Sequence, residues 1–219
     1  MRRKLQRISK DRVLFLDETA IRVSETPTST LVLPDQPPFL TATETSTYAK
    51  RYDMIACCAG KEVLLPKIFT PKERAGADVR GINQAMLLQF IDDVLAQAVE
   101  GLDRYGLTLV IDRSTIHNPD KILQAFHDRS SFSITNVLLM PPNAAKRLSP
   151  LDNALFHDWK EKVRKRTPLT NRTIQQVMAD AWNQITPDLL LAHYKNCGLI
   201  RGTDVYFDCP NPSAHRHGK

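Results

Sequence analysis

Apolar and polar positions along this chain alternate in two periods, one typical of strands and one typical of helices. Short apolar runs predict buried strands, which are VLFLDET, the two halves of YDMIACCAGKEVLLPKIF joined at residues 59–61, LTLVID and SITNVLLM. Apolar residues at three- and four-residue spacing predict helices over about 83–101, 119–129, 150–166, 171–185 and 186–198. Strands followed by alternating helices and strands predict an α/β fold, a mixed sheet flanked by helices.

Four polar segments lack this periodicity. Residues 1–12 carry six Lys or Arg, and we interpret them as a basic arm or the stub of a linker. Residues 24–50 are rich in Thr, Ser and Pro and predict a hairpin with irregular edges, whereas residues 70–81 predict a loop. Residues 201–219 predict a flexible tail. The remaining chain predicts one domain over residues 13–166, with C-terminal helices over residues 167–200 packed on it.

Composition agrees with one domain and a helical appendage, since the 219 residues are 42% hydrophobic and 25% charged. The net charge of +6 permits an anionic partner such as nucleic acid. No apolar run reaches the roughly 18 residues of a membrane helix, and no apolar signal segment follows the basic N-terminus, which predicts an intracellular protein. The four cysteines have neither disulfide nor zinc spacing, and we interpret them as free thiols.

Three carboxylates are placed where α/β folds build their sites. Asp17 and Asp112 each end an apolar strand, and Asp152 lies in the first turn of a predicted helix that follows the third strand. If the first two strands are neighbours, the three side chains converge. Oxygen ligands of this kind suit Mg²⁺ or Mn²⁺, and two such ions roughly 3.5–4 Å apart activate a water or a 3′-hydroxyl toward a phosphodiester. Each acid alone is also explained as an ordinary turn or helix-end residue.

Basic residues cluster around Asp152, and a charge run of this kind is either a solvated helix face or a contact to DNA phosphates. We favour the DNA contact because the run begins at the predicted site. The basic residues in question are Lys146, Arg147, Lys160, Lys162, Arg164, Lys165 and Arg166. His117 is interpreted equally as a partner of the carboxylates, a DNA contact or a loop residue, and Trp159 and Trp182 as core residues.

Three stretches in this order, LFLDET, LVIDRSTIH and LLMPPNAAKRLSPLDNALFHDWK, resemble the three catalytic blocks of mariner-like DDE/D transposases. The 39 residues between Asp112 and Asp152 fit the subgroup with three aspartates and a long last spacing. Lys160 also matches a family position, and the resemblance extends from Val13 to Ile200.

The resemblance implies a ribonuclease-H-like catalytic domain in which Asp17, Asp112 and Asp152 bind two Mg²⁺ or Mn²⁺ ions. It implies cleavage of double-stranded DNA at transposon ends and transfer of the freed 3′-hydroxyl to target DNA. It also implies a homodimer in the active complex. The candidate DNA contacts are His117, Lys146, Arg147, Lys160 and Arg164. Eukaryotic members imply a nuclear location, although bacterial relatives share the same blocks.

The chain departs from the family pattern in three ways. Arg113 replaces the usual Asn beside the second aspartate, and Asn143 and Ser149 replace residues of the third block. The helix-turn-helix sequence that precedes the catalytic domain in the family has no counterpart here, which predicts weak, salt-sensitive DNA binding without recognition of specific ends. Two alternatives therefore stay open: a domesticated or decayed domain that binds DNA without cutting it, and a structure-selective nuclease.

Overall fold

One mixed sheet organises the chain in the computed structural model, which describes residues 1–23, 50–76, 81–166 and 169–200. The strands are β1 (Val13–Arg22), β2 (Arg51–Ala59), β3 (Glu62–Val63), β4 (Lys67–Phe69), β5 (Leu107–Ile111) and β6 (Ile134–Leu139). Their order is β3-β2-β1-β5-β6, with β4 on another part of β2. The β1/β2 pair and the two pairs beyond it are antiparallel, whereas β1/β5 and β5/β6 are parallel. The predicted α/β class with a mixed sheet is confirmed.

The first strand is longer than the sequence predicts. The apolar run predicts a strand that ends at Asp17 and Glu18, but β1 continues to Arg22. The reason is that β2 pairs with β1 along its whole length, from Leu14↔Ala59 to Arg22↔Arg51, so backbone hydrogen bonds continue after the apolar run stops. Both acids therefore lie inside a strand, where neighbouring side chains face opposite sides of the sheet.

Helices cover both faces of this sheet. They are α1 (Arg2–Gln6), α2 (Pro71–Gly76), α3 (Gln84–Phe90), α4 (Ala96–Glu100), α5 (Pro119–Asp128), α6 (Ala145–Leu148), α7 (Phe156–Arg164), α8 (Ile174–Asn183) and α9 (Pro187–Asn196). A first π-helical turn, Ile91–Leu95, joins α3 to α4, and a second π-helical turn, Leu151–Leu155, precedes α7. Among the described residues, no helix has the length and apolar character needed to cross a membrane.

Alternating residues of β1 belong to two separate cores. Val13 and Phe15 pack with the second π turn and α7–α9, whereas Leu14 and Leu16 pack with α3–α5 and the first π turn. The predicted core tryptophans lie in the first of these cores. The indole N–H of Trp159 donates to the Met178 carbonyl oxygen at 3.1 Å, and that of Trp182 donates to the Leu64 carbonyl oxygen at 2.9 Å.

Several predicted element ends are confirmed by their capping groups. Asn83 caps α3 by accepting from the Met86 N–H, and Asn118 caps α5 by accepting from the Lys121 N–H. Gly60 joins β2 to β3 with φ +60°, a left-handed conformation that favours glycine.

The prediction of a loop over residues 70–81 is wrong in part, because its first half forms α2. Thr70 and Glu73 explain the difference. The Thr70 hydroxyl accepts from the Glu73 N–H at 3.2 Å, and the Glu73 carboxylate accepts from the Thr70 N–H at 2.7 Å. This reciprocal pair is a capping box, which starts a helix even in a polar segment.

The N-terminal residues also differ from the predicted solvated arm. Residue Leu5 of α1 is buried in the core, and Lys10 is 1% exposed. The Lys10 ammonium donates to the carbonyl oxygens of Leu5 and Ile8. Burial lowers the pKa of Lys10 to about 8, against the opposing effect of Asp11. Burial of the Leu5 side chain therefore holds this segment against the core although its neighbours are charged.

Two predicted segments, the hairpin within residues 24–50 and the tail over residues 201–219, lie outside the described residues except for Lys50. Cys209 and Pro168 also lie outside them. The other three cysteines, Cys57, Cys58 and Cys197, are free and buried, as predicted.

Candidate active site

The two predicted strand-end aspartates lie side by side on neighbouring strands. Strand β1 pairs in parallel with β5 through Phe15↔Val110, so the same register places Asp17 level with Asp112. Paired strands are about 4.8 Å apart, which brings the two carboxylates into one site. Asp17 is held inside β1, and its Oδ1 accepts from the Glu18 N–H at 2.9 Å. Asp112 is the first residue after β5.

The third aspartate reaches this site from the second π turn. Asp152 is the second residue of that turn, and the turn packs against β1. The buried Ser149 hydroxyl, 3.4 Å from the Asp152 N–H, supports the start of the turn. The prediction of one continuous helix over residues 150–166 is therefore refined, since a wider turn carries Asp152 and the regular helix begins at Phe156.

The charges of the other two aspartates reach Asp17. Burial first, and then the charge of Glu18, raise the pKa of Asp17 well above its ordinary value, and the hydrogen bond from the Glu18 N–H opposes this rise. The charges of Asp152 and Asp112 raise it further. An oxygen-rich cluster with surplus negative charge suits a hard divalent cation such as Mg²⁺ or Mn²⁺. The three aspartates therefore offer the donor type that the predicted metal site needs. Among the described residues, however, the three side chains whose ligand atoms lie within 4.8 Å of one another are Glu18, Asp112 and His117.

A buried histidine links Asp112 of this cluster to one further carboxyl group, that of Glu18. The His117 side chain is 0% exposed, and its Nδ1 lies 2.6 Å from Asp112 Oδ1 and 3.1 Å from the Asp112 carbonyl oxygen. Its Nε2 lies 2.9 Å from Glu18 Oε1. The loop after Asp112 turns back through a hydrogen bond from the His117 N–H to the Ser114 carbonyl oxygen at 3.1 Å. Glu18, His117 and Asp112 thus form a continuous chain of contacts.

The charge of His117 follows from its neighbours. Burial lowers its pKa, but the contacts with Asp112 and Glu18 and the charge of Glu18 together raise it to about 10. Because carboxylates only accept hydrogen bonds, a ring between two of them is satisfied when both nitrogens carry protons. One ligand atom from each of the three residues lies within 4.8 Å of the others, as in a metal site, but the ring already bridges the two carboxylates.

Two clefts meet at Asp152. The smaller cleft, of about 460 Å³, places Asp112, Arg113, Asn143, Lys146 and Asp152 around one opening. The larger groove, of about 810 Å³, extends from Asp152 along β1. Its basic lining residues are Arg22, Arg51, His157, Lys160 and Arg164. The acids Glu18 and Asp53 also line this groove, and Asp53 pairs with Arg51. A polyanion that lies across Asp152 would meet Lys146 on one side and Arg22 and Lys160 on the other.

The five candidate DNA contacts have different positions. Lys146 is exposed in the smaller cleft, and Lys160 and Arg164 line the larger groove, with Arg164 donating to Glu161 at 2.8 Å. Arg147 is exposed beside Lys146 but is not among the described residues that line either cleft. His117 is buried with both nitrogens engaged, so the geometry favours the interpretation as a partner of the carboxylates.

Two features of the site have no counterpart in the sequence prediction. Glu18 is not among the predicted site residues, and its carboxylate lies 2.9 Å from His117 Nε2. The signal was present, because adjacent acids in a strand face opposite sides of a sheet. In the larger groove, the buried Asp53 carboxylate holds Arg51 at 2.6 Å and Arg74 at 2.8 Å. The sequence around Arg51 and Asp53 did not predict this group, because its third member, Arg74, comes from a distant segment.

The order of the strands and the helices on both faces define a ribonuclease-H-like α/β fold, with Asp17 in β1 and Asp112 directly after β5. Solved structures of the Mos1 mariner transposase share this fold. Its catalytic domain has a TM-score of 0.57 at 13% identity, covering 86% of this chain and 78% of that one. A pre-cleavage Mos1 transpososome has a TM-score of 0.65 at 13% identity, covering 90% of this chain and 56% of that one.

A third match is a Mos1 paired end complex with Mg, with a TM-score of 0.63 at 12% identity, covering 90% of this chain and 56% of that one. The chain spans about half the length of the chains in these complexes. No protein-family profile and no curated protein sequence matches this chain. The likeness therefore confirms the fold that the resemblance predicted.

Proposed function

We propose that this chain is a transposase-like catalytic domain that cleaves DNA phosphodiester bonds with two Mg²⁺ or Mn²⁺ ions. The observation that carries the proposal is the placement of the three aspartates. Asp17 and Asp112 are level on neighbouring strands, and Asp152 lies on a π turn that packs against β1 and shares a cleft with Asp112. The fold shared with Mos1 supports it, since the Mos1 structures include paired end complexes with Mn and with Mg.

Each group of residues has a separate task in the proposed reaction. Asp17, Asp112 and Asp152 hold the metal ions, and the reaction needs no covalent intermediate with the protein. Bound divalent ions lower the pKa of an attacking water or 3′-hydroxyl and stabilise the leaving oxygen. Lys146 in the smaller cleft and Lys160 in the larger groove bind the phosphates on either side of the bond that is cut.

We propose double-stranded DNA as the substrate, with transposon ends as the sites of cleavage, target DNA as the acceptor of the 3′-hydroxyl, and a homodimer as the active complex. The basic groove and the Mos1 complexes with transposon ends support this proposal. A nuclear location stays a prediction from the resemblance.

The central test is Mn²⁺-dependent nicking of supercoiled plasmid by the purified chain, compared with Asp112→Asn and Asp152→Asn. We expect nicking by the parent and none by either variant. Asp128→Asn is the matched control, because Asp128 is an exposed acid at the end of α5, where its carboxylate accepts a hydrogen bond from the Gln124 amide. Nicking that persists in both site variants would contradict the proposal.

DNA contact is tested separately by the salt dependence of binding. Lys146→Ala and Lys160→Ala should each reduce the slope of log affinity against log salt by about 1. Arg129→Ala is the control, because Arg129 pairs with Asp92 on the opposite face of the sheet. An unchanged slope in both lysine variants would remove these residues from the DNA path.

A second candidate function is DNA binding without cleavage, and Arg113 is the observation that favours it. This exposed cation lines the smaller cleft together with Asp112 and Asp152, where its positive charge would oppose the binding of a metal ion. DNA binding without nicking by the parent, followed by nicking in Arg113→Asn, would assign the loss of activity to this residue. Failure of both proteins to bind Mn²⁺ would support a decayed site.

A further inference from the structure

The three aspartates are fixed in position by different means. Asp17 is held by the backbone of β1, which pairs with strands on both sides. Asp152 is held by the second π turn, which packs against β1. Asp112 follows the last residue of β5, so its own backbone lies beyond the strand. Its side chain is 37% exposed, and a partly exposed carboxylate at a strand end has several accessible rotamers.

His117 restricts the conformation of Asp112 through two contacts of one ring nitrogen. Nδ1 forms a hydrogen bond with the carbonyl oxygen of Asp112 at 3.1 Å and an ion-pair contact with its Oδ1 at 2.6 Å, so one nitrogen restrains both the backbone and the side chain. The Asp112 Oδ1 atom is buried, which leaves Oδ2 as the oxygen available to a ligand in the cleft. The ring itself cannot rotate freely, because Nε2 is bonded to Glu18 on the neighbouring strand.

We propose that His117, oriented by Glu18, is a positioning residue that fixes the Asp112 carboxylate for metal binding without touching the metal. This inference rests on the proposed function, since it takes Asp112 as a metal ligand. Outer partners of metal ligands contribute about 10–100-fold to metal affinity, and they do so by holding the ligand in one orientation.

Glu18 and Asp17 thus have complementary tasks although they are adjacent. Asp17 faces the core that contains the second π turn and lies among like charges. Glu18 faces the other side of β1, where it accepts from His117. One strand therefore supplies a metal ligand directly and supports a second ligand through a histidine.

The experiment is a titration of the full chain with Mn²⁺ in the absence of DNA, in which the signal of free Mn²⁺ is measured by electron paramagnetic resonance. Asp112→Asn establishes the loss that removal of a ligand causes. We expect His117→Ala to weaken Mn²⁺ binding by about 10–100-fold. His117→Asn should recover much of this loss, because its amide N–H occupies the position of Nδ1. His117→Gln should recover less, because its amide N–H occupies the position of Nε2.

A matched control is His127→Ala on the exposed side of α5, which should leave Mn²⁺ binding unchanged. Glu18→Gln serves if His117→Ala does not fold, since it keeps the shape of the side chain and an acceptor for Nε2. We expect a smaller loss of affinity, up to about 10-fold, with an unfolding temperature measured in parallel.

The outcomes separate the two proposals. Unchanged Mn²⁺ affinity in a folded His117→Ala or Glu18→Gln protein, together with a loss in Asp112→Asn, would overturn the positioning role and keep the metal site. Unchanged affinity in Asp112→Asn would overturn the proposed function itself. In nicking assays, a positioning role predicts that the variants need more Mn²⁺ for half-maximal activity but recover the parent rate when Mn²⁺ is saturating.

Discussion

Two π-helical turns of five residues lie on opposite faces of the sheet, and each carries an acid at its second position. In the first π turn, Asp92 pairs with Arg129, and the following Asp93 pairs with Lys67 at 2.7 Å. In the second π turn, Asp152 lies near Asp17 and lines two clefts. The local backbone is the same, but the first turn is neutralised by cations and the second adds charge to an acidic cluster.

This difference shows that the partners of an acid, and not its local structure, indicate a functional site. π-helical turns occur often at functional sites, yet by that criterion the two turns are equivalent. The first turn forms exposed ion pairs, which contribute little to stability. The second gathers like charges, which is unfavourable unless a cation binds there. The contrast between the turns is therefore open to direct test.

The largest expected effect separates the two acids by activity. Asp152→Asn should reduce Mn²⁺-dependent nicking by at least about 10³-fold, because a metal ion supplies several kcal/mol of transition-state stabilisation. Asp92→Asn should leave the rate unchanged, because Asp92 pairs with the exposed Arg129 on the face of the sheet opposite the proposed site. Plasmid nicking at saturating Mn²⁺ measures both, and similar losses in the two variants would remove the distinction between the turns.

We expect the buried leucines of the two turns to contribute equally to the free energy of unfolding. Leu95 and Leu155 end the first and second π turns, and both are 0% exposed. Leu95→Ala and Leu155→Ala should each reduce the free energy of unfolding by about 2–5 kcal/mol. Urea unfolding measures this loss. Only Leu155→Ala should also weaken Mn²⁺ binding, because only its turn carries a proposed ligand, and equal Mn²⁺ affinities would contradict that role.

Much of the fold could be predicted because local patterns and capping residues determine it. Asn83, Asn118 and Gly60 act through their nearest neighbours, so sequence spacing was sufficient to place the elements they bound. The extension of β1 to Arg22 and the packing of Leu5 could not be predicted, because both depend on segments distant in the chain. Pairing with β2 and burial against the core supply information that periodicity lacks.

The candidate site shows the same division. Asp17, Asp112 and Asp152 could be selected because each has a recognisable place at a strand or a helix start, and the family resemblance joined them. The contact between Glu18 and His117 spans 99 positions of sequence and depends on which way each side chain faces. The sequence of this chain could therefore suggest that His117 has a role, but the structure was needed to identify its partners.

The direction of a stability change also distinguishes the acidic group around Asp17 from the ion-paired acids of the first π turn. Asp17→Asn should raise the unfolding temperature of the metal-free protein at pH 7, because it removes a carboxyl group whose ionisation is disfavoured by burial and by the neighbouring acids. A change of about 1 kcal/mol corresponds to about 2–4 °C for a chain of this size. Asp93→Asn should leave the unfolding temperature unchanged or lower it slightly, because it removes an ion pair with Lys67. Calorimetry in the presence of a chelator measures both.

Addition of Mn²⁺ completes this test. The parent should gain stability with increasing Mn²⁺, as any ligand that binds only the folded state requires, and Asp93→Asn should gain equally. Asp17→Asn should gain little. A destabilised Asp17→Asn protein without metal would show that hydrogen bonding of the carboxylate outweighs the repulsion.

The smallest expected effect concerns the packing of α9 against the second π turn. Helix α9 packs against this turn, and its residue His193 is buried with Nε2 3.1 Å from Asp158 Oδ2. Burial lowers the pKa of His193, and the charge and hydrogen bond of Asp158 oppose the shift. The folded value thus lies below the unfolded value of about 6.5, so the unfolded chain gains the proton first as the pH falls.

The contribution of His193 to stability is therefore present above about pH 6.5 and is lost as the pH falls through that value. Urea midpoints at pH 7.5 and 5.5 should differ more for the parent than for His193→Gln, which keeps an amide N–H near Asp158 but does not titrate. An equal pH dependence would mean that protonated His193 is accommodated through Asp158. In that case α9 would hold the second π turn equally well at both pH values, and the support of Asp152 would not depend on the charge of this histidine.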